Sequence, residues 1–249
     1  MTTKATERNP HDAILNPLED EMMAAVYAGL QSWQRELLRG INAQNVNEVL
    51  TRLHDPALRQ KLRDAIVDYL TQAAEAGAMQ ARGDVERDVF GVKRITEPSA
   101  SIEFNWELAN ENAAQWALRY GENLVGEIAK TTTPRIQALV SDWITNGEPL
   151  SALISRVKDG WFYSEDRART IAVTEVTRAF AQGNMEAWKA TGVMELKRWN
   201  TAVDELVCPI CGPLHRATAP MNEQFPGGYD SPPAHPRCRC WLTATTKGE

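Results

Sequence analysis

All four cysteines of this 249-residue chain fall in its last fifth. Cys208 and Cys211 form a Cys-Pro-Ile-Cys turn, and Cys238 and Cys240 close the run Pro232-Pro233-Ala234-His235-Pro236-Arg237-Cys238-Arg239-Cys240. A CxxC turn brings two thiolates within reach of one cation, and a second cluster returned by a loop completes a tetrahedral set. Five side chains compete for four positions: Cys208, Cys211, His235, Cys238 and Cys240, with His215 a sixth candidate. If 237–242 is extended, Cys238 and Cys240 face the same side and the set is four thiolates. If the turn at Pro236 swings the imidazole inward, His235 takes one place. Two disulfides, or four reduced thiols packed as small apolar groups, are the alternatives without a metal. A thioredoxin-like redox role for the CxxC is weaker, because the proline-rich sequence after Cys211 does not start a helix. The cofactor expected is zinc in a structural role. A catalytic zinc keeps an open position for water, whereas a thiolate-rich set with no acid or base beside it is closed.

The elements around these residues follow from composition. Between Gly212 and Arg237 lie Pro213, Pro220, Pro226, Gly227, Gly228, Pro232, Pro233 and Pro236, so the segment reads as irregular, with neither a helix nor a central strand. Such a loop is expected to bury little apolar surface of its own and to depend on a cross-link. Residues 193–199 alternate as a strand, and 239–244 are expected to pair with it, packed against a preceding helix. Ser164 caps that helix, whose inward face is Ala168, Ile171, Ala172, Val176 and Ala179. Glu175 lies four residues after Ile171, beside the buried stripe, where a carboxylate needs a partner; Arg239 and Arg169 are the expected ones.

The run Trp199-Asn200-Thr201-Ala202-x-Asp204, then Cys208-x-x-Cys211, then Pro232-Pro233-x-His235-Pro236-x-Cys238-Arg239-Cys240 resembles the carboxy-terminal signature of the phage head morphogenesis family, minor head proteins similar to the F protein of phage Mu. The similarity continues upstream through Arg167-Ala168-x-x-Ile171-Ala172-x-Thr174-Glu175 and spans about 113–242. Val173 stands where a basic residue is expected in relatives. The resemblance implies a minor capsid protein of a tailed phage or prophage, not an enzyme. It implies a place in the virion head after assembly in the host cytoplasm, association with the portal protein, and contact with the major capsid or scaffolding protein or with packaged DNA. Asp204 resembles the family's aspartate before the CxxC, with a structural role in capping the turn or orienting a ligand.

With 27 basic and 33 acidic residues the chain carries a net charge of −6, which argues against a protein whose whole surface coats DNA. No apolar run approaches the ~20 residues of a membrane span, and the amino terminus lacks a signal-peptide core. The expected setting is a reducing cytoplasm, with no membrane partner. In order along the chain, 1–17 reads as a flexible arm and 18–83 as a helical region. Met22, Met23, Val26, Leu30, Trp33 and Leu37 form the core-facing stripe of its first helix, ending at Gly40. A second helical pattern covers 45–53, and a third runs from Leu58 to Gly77 or Gly83. Residues 84–110 read as a connection, with 89–95 as a short strand or helix end. The domain 111–249 opens with a helix on Trp116, Tyr120, Leu124 and Ile128. Thr133-Pro134 marks the start of another, and 150–157 is a short one before Gly160. His11 and His54, lacking partner clusters, read as surface or turn residues. The fold class expected is mainly α, with a helical amino-terminal region and a helical bundle ending in a small α+β Cys/His module at 199–243. The competing functional class is a zinc-dependent enzyme or a nucleic-acid-binding metal module presenting Arg237 and Arg239 to phosphates.

Overall fold

The computed structural model describes residues 8–42, 44–45, 48, 51–86, 106–202, 204 and 207–246. Among them are five helices, α1 Asp12–Leu38, α2 Pro56–Val85, α3 Trp106–Asn146, α4 Leu150–Lys158 and α5 Glu165–Thr191, followed by three short strands, β1 Leu196–Asn200, β2 Thr218–Pro220 and β3 Trp241–Thr245. The protein is mainly α with a small α+β tip. Four of the nine residues of the expected helix at 45–53 lie outside the described residues, which there include a 3-10 turn at Arg52–His54. The expected strand at 89–95 and most of the 84–110 connection lie outside them too. No helix among the described residues is long and apolar enough to cross a membrane.

Contacts divide the chain into two compact units, each assembled from separated stretches. They cut across the linear succession of arm, helical region, connection and carboxy-terminal domain. One unit comprises 19–69 and 118–172. Its core holds Met22, Val26, Leu30, Trp33 and Leu37 of α1, with Leu62 and Ile66 of α2 and Ile128, Ile136, Leu153 and Val157 further on. The methionine-and-tryptophan stripe is therefore core, as its helical spacing suggests.

Thr133-Pro134 does not start a helix; α3 runs straight through Pro134. Proline removes one intrahelical donor, the one that would reach the Lys130 carbonyl, and a threonine-rich turn precedes it. The Thr131 hydroxyl donates to the Glu127 and Ile128 carbonyls at 3.1 and 3.0 Å, and the Thr132 hydroxyl to that of Ile128 at 2.7 Å. The buried Arg167 guanidinium then donates to Thr132 Oγ1 (2.8 Å), Thr131 Oγ1 (2.7 Å), the Ile128 carbonyl (3.2 Å) and the Phe162 carbonyl (2.7 Å). Arg167 opens the upstream half of the sequence motif, and here it ties the helical turn before the proline to the Phe162 carbonyl. Replacing it by methionine leaves several buried oxygens without donors. Arg167→Met is expected to lower stability by about 3 kcal/mol in a urea titration, at unchanged metal content.

The other unit comprises residues 1–18, 70–117 and 173–249, as far as they are described. Helix α1 begins at Asp12, inside the stretch expected to be a flexible arm. The Asn9 side-chain oxygen accepts the His11 N–H at 3.0 Å, and Leu15 and His11 are both buried. This turn makes the helix start where polarity alone indicated none. His11 is thus not a surface residue. Its ring lies 5.0 Å from that of Phe180, and burial pulls its pKa down to about 4. The unfolded chain, titrating near 6.5, binds the proton more readily than the fold does. The stability that neutral His11 provides is therefore present above pH 6.5 and is lost as the pH falls toward 4, by up to about 3 kcal/mol. His11→Phe is expected to flatten this part of the pH–stability curve relative to the parent protein, as read by denaturant midpoints.

Gly77 does not end α2, which continues to Val85. It sits where α2 crosses α5. A Cβ at Gly77 would lie 2.1 Å from the Phe180 carbonyl oxygen, and one at Gly183 would lie 1.9 Å from that of Ala74. The Asn184 side-chain amide donates to the Gly77 carbonyl at 2.6 Å. Two facing glycines thus let the helix backbones touch.

The sheet is antiparallel in the order β2-β1-β3, with Leu196 opposite Pro220 and Thr245, and Arg198 opposite Thr218 and Thr243. The expected pairing of the two terminal strands is present. The segment 212–237, expected to be wholly irregular, contributes β2, and Pro220 is tolerated because β2 is an edge. This segment also buries Leu214, Ala219, Met221 and Phe225, contrary to the expectation of little apolar burial. Phe225 meets the fully buried Trp199 edge-on at 5.3 Å. Trp188 and Met185 of α5 belong to the same core, so the module rests on the helix that carries the upstream motif.

Candidate metal centre

The CxxC turn is closed by two backbone bonds: Gly212 N–H donates to the Cys208 carbonyl at 2.9 Å, and Cys211 N–H to Cys208 Sγ at 3.3 Å. The facing segment turns at Arg237, whose φ of 58° places a non-glycine residue in the left-handed region, and Cys238 N–H returns to the His235 carbonyl at 3.2 Å. Beyond it Cys238 and Cys240 are buried while Arg237 and Arg239 are exposed. The alternation expected of a strand holds, although β3 begins only at Trp241.

Helix α5 anchors this segment through residues that sequence reasoning passed over. Thr174 Oγ1 accepts the Arg237 N–H at 3.0 Å, and the Thr177 hydroxyl donates to the Cys238 carbonyl at 3.3 Å. The signal was available: a threonine pair at i, i+3 inside the motif helix. The buried Glu175 carboxylate accepts from Arg178 Nε at 2.9 Å rather than from the expected arginines. Arg239 instead forks onto both oxygens of Asp204 at 3.1 Å each, and Arg169 reaches Asp20 at 3.4 Å. An i, i+3 pair forms within a single turn, and so it outcompetes a partner that must be brought from a distant loop. The Asp204–Arg239 fork clips Asp204, before the CxxC, to the extended segment carrying the second cysteine pair, and it raises the Arg239 pKa further.

These elements converge five donors into two overlapping groups. Cys208, Cys211 and His235 form one, and Cys211, Cys238 and Cys240 the other; within each group all donor atoms lie within 4.8 Å of one another. His235 Nε2 stands 3.0 Å from Cys208 Sγ and 3.2 Å from Cys211 Sγ, with Nδ1 2.7 Å from the Pro236 carbonyl. That second contact fixes the tautomer with Nδ1 protonated and leaves Nε2 as a lone-pair donor to the cluster. Cys211 Sγ and Cys238 Sγ are 3.7 Å apart. Thiolates at about 2.3 Å from a zinc ion in tetrahedral geometry have sulfur–sulfur edges of about 3.8 Å. The four cysteines are free, so the disulfide alternative is not what this structure contains. His215 stands outside both groups; its Nδ1 faces the Thr201 hydroxyl at 3.2 Å.

The electrostatics of the cluster are coupled. Hydrogen bonds from Cys211 and Cys240 hold the Cys238 thiol far below its ordinary pKa, while those same contacts and burial push Cys211 up. Buried thiolates this close together repel one another, and a divalent ion among them would allow all three to ionise together. The cavity over the cluster is about 40 Å³, lined in part by Thr201, Ala202 and Val207, with no carboxylate among the described residues that line it. It has room for little more than a water molecule.

A mainly helical chain ending in a small, closed Cys/His-clustered α+β module is the class that fold and site define. Residues 134–243, just under half of the chain, match the family described as Phage Mu protein F like protein, in agreement with the phage head morphogenesis resemblance of its motifs. No curated protein and no solved structure matches the chain significantly. The matched segment contains Arg167, Thr174, Glu175, Asp204 and all five clustered donors, and the family supports a role in head morphogenesis and an association with the virion.

Proposed function

We propose that the protein is a minor structural component of a tailed-phage head, positioned at the portal, whose carboxy-terminal module is locked by a structural zinc ion. The observation that carries this reading is the coincidence of the family match with a donor cluster that, among the described residues, has neither a carboxylate nor a substrate-sized cavity beside it. Four of the five donors, Cys208, Cys211, His235 and Cys238, would hold the ion, with the Cys240 thiol next to them. Zinc would supply charge balance for the thiolates and a cross-link between the CxxC turn and the strand that follows the loop. The residues then act as a scaffold: Thr174 and Thr177 fix the second cysteine pair to α5, and the Asp204–Arg239 fork fixes the first.

Elemental analysis of the purified protein, with thiol titration before and after a chelator, tests the site. About one zinc per chain, with thiols reactive only after chelation, is expected; a metal-free protein with all thiols reactive would remove the cross-link from the proposal. Chemical cross-linking of isolated heads followed by mass spectrometry tests the position. Links to portal subunits are expected, and links confined to the shaft of the tail would overturn it.

A further inference from the structure

Outside the Cys/His cluster, a second site stands out on the opposite edge of β1. Lys197 is only 1 % exposed, the only lysine so deeply buried among the described residues. Its ammonium donates to the Asp230 backbone carbonyl at 2.8 Å and stands 5.1 Å from the centre of the Phe225 ring, both uncharged partners. An ammonium carries three donors, and a carbonyl and a ring face leave it a direction to spare. It lines a cavity of about 330 Å³ together with Lys189, Gln182, Asn222, Ser231 and Asp230, with Met185 and Met221 forming an apolar wall. Two ammonium groups face one carboxylate there, and that carboxylate is engaged by the Gln224 amide at 3.4 Å.

We infer that this cavity is a receptor for the side-chain carboxylate of a glutamate from a partner protein, bound through Lys197 and Lys189 with its methylenes against Met185 and Met221. The net positive lining selects an anion, and the surplus donors on Asn222 and Ser231 suit a planar carboxylate. The methionine wall favours an anion with an aliphatic stem over a bare oxyanion. Burial lowers the Lys197 pKa, and an incoming carboxylate restores the balance that desolvation disturbs. The site shares no residue with the metal cluster and stands or falls independently of it.

The test uses the full-length, metal-loaded protein with isotope-labelled methionine methyl groups, titrated with glutarate at constant ionic strength. Saturable shifts of the Met185 and Met221 methyls are expected. Affinity should be about tenfold weaker in Lys189→Gln, a substitution at an exposed position, and lost in Lys197→Met. A tripeptide Gly-Glu-Gly with both ends blocked should produce the same shifts. No shift with glutarate, or equal affinity in Lys189→Gln, would overturn the site. Equal affinity for inorganic phosphate would overturn the role of the methionine wall, and binding of glutarate but not of the blocked peptide would overturn the partner glutamate.

Discussion

Cys211→Ser is expected to empty the metal centre and to produce the largest loss of thermal stability among single substitutions in the carboxy-terminal module. Cys211 is the one donor common to both groups, 3.2 Å from His235 Nε2 and 3.7 Å from Cys238 Sγ. Whichever four residues ligate, its removal leaves at most one member of the CxxC turn on the ion. Zinc binding is folding free energy for a site absent from the unfolded chain, on the order of 10 kcal/mol in small modules that have little else. This module has more: Trp199, Phe225, Leu214 and Met221 are buried beside the cluster. A smaller loss, about 4 kcal/mol, is therefore expected, with the module partly ordered after the metal is gone. Elemental analysis and thermal unfolding of the variant check this. Full retention of one zinc would place the ion on the other donors alone. Cys240→Ser separates the two ligand sets, since metal should be kept if His235 ligates and lost if the site is four thiolates.

Gly183→Ala is the second. Its added methyl carbon would sit 1.9 Å from the Ala74 carbonyl oxygen, where ordinary contact begins above 3.4 Å. The obstacle is backbone, so no rotamer change relieves it, and α2 and α5 must separate by more than an ångström. Alanine's better helix propensity contributes about 1 kcal/mol in the opposite direction. Overpacking of this kind typically costs up to about 3 kcal/mol, and the separation also strains the bond from Asn184 to the Gly77 carbonyl. A net loss of about 2–3 kcal/mol is expected from denaturant titration, with a similar result for Gly77→Ala. Gly126→Ala, at a helical position open within 4 Å, is the matched control and should be neutral or slightly stabilising. A stabilised Gly183→Ala would mean that the two helices do not cross where the structure puts them.

Both results bear on what the sequence could reveal. The cysteine spacing exposed the donor set because a tetrahedral ion demands a few residue types close together, and such demands survive as local motifs. The period-two alternation around Trp199 and Leu242 likewise revealed the paired strands. Gly77 and Gly83 are both candidate terminators, and the end near Gly83 is the one found, because glycine carries no record of its neighbour: a helix stop and a helix crossing look alike until the second backbone is known. Pro134 failed for a related reason. The helix continues past it with one intrahelical donor missing, and the Arg167 bonds that hold the preceding turn are announced by nothing local to the proline. Glu175 shows the reverse error, in which distant cations were weighed above Arg178, one turn away and sufficient.

The interleaving of the two units sets an order of events during synthesis. The unit built from 19–69 and 118–172 has all its segments available once residue 172 has left the ribosome. The other unit draws its first segment from before residue 19 and its last from beyond 172, so its early residues wait for the late ones. Until α5 emerges, the glycine face of α2 and the buried face of the first turns of α1 lack their partner. Nascent chains arrested when residue 172 has just cleared the ribosome should therefore hold one unit resistant to protease while His11 and Gly77 remain accessible, and resistance at those positions should appear only with emergence of the final seventy-odd residues.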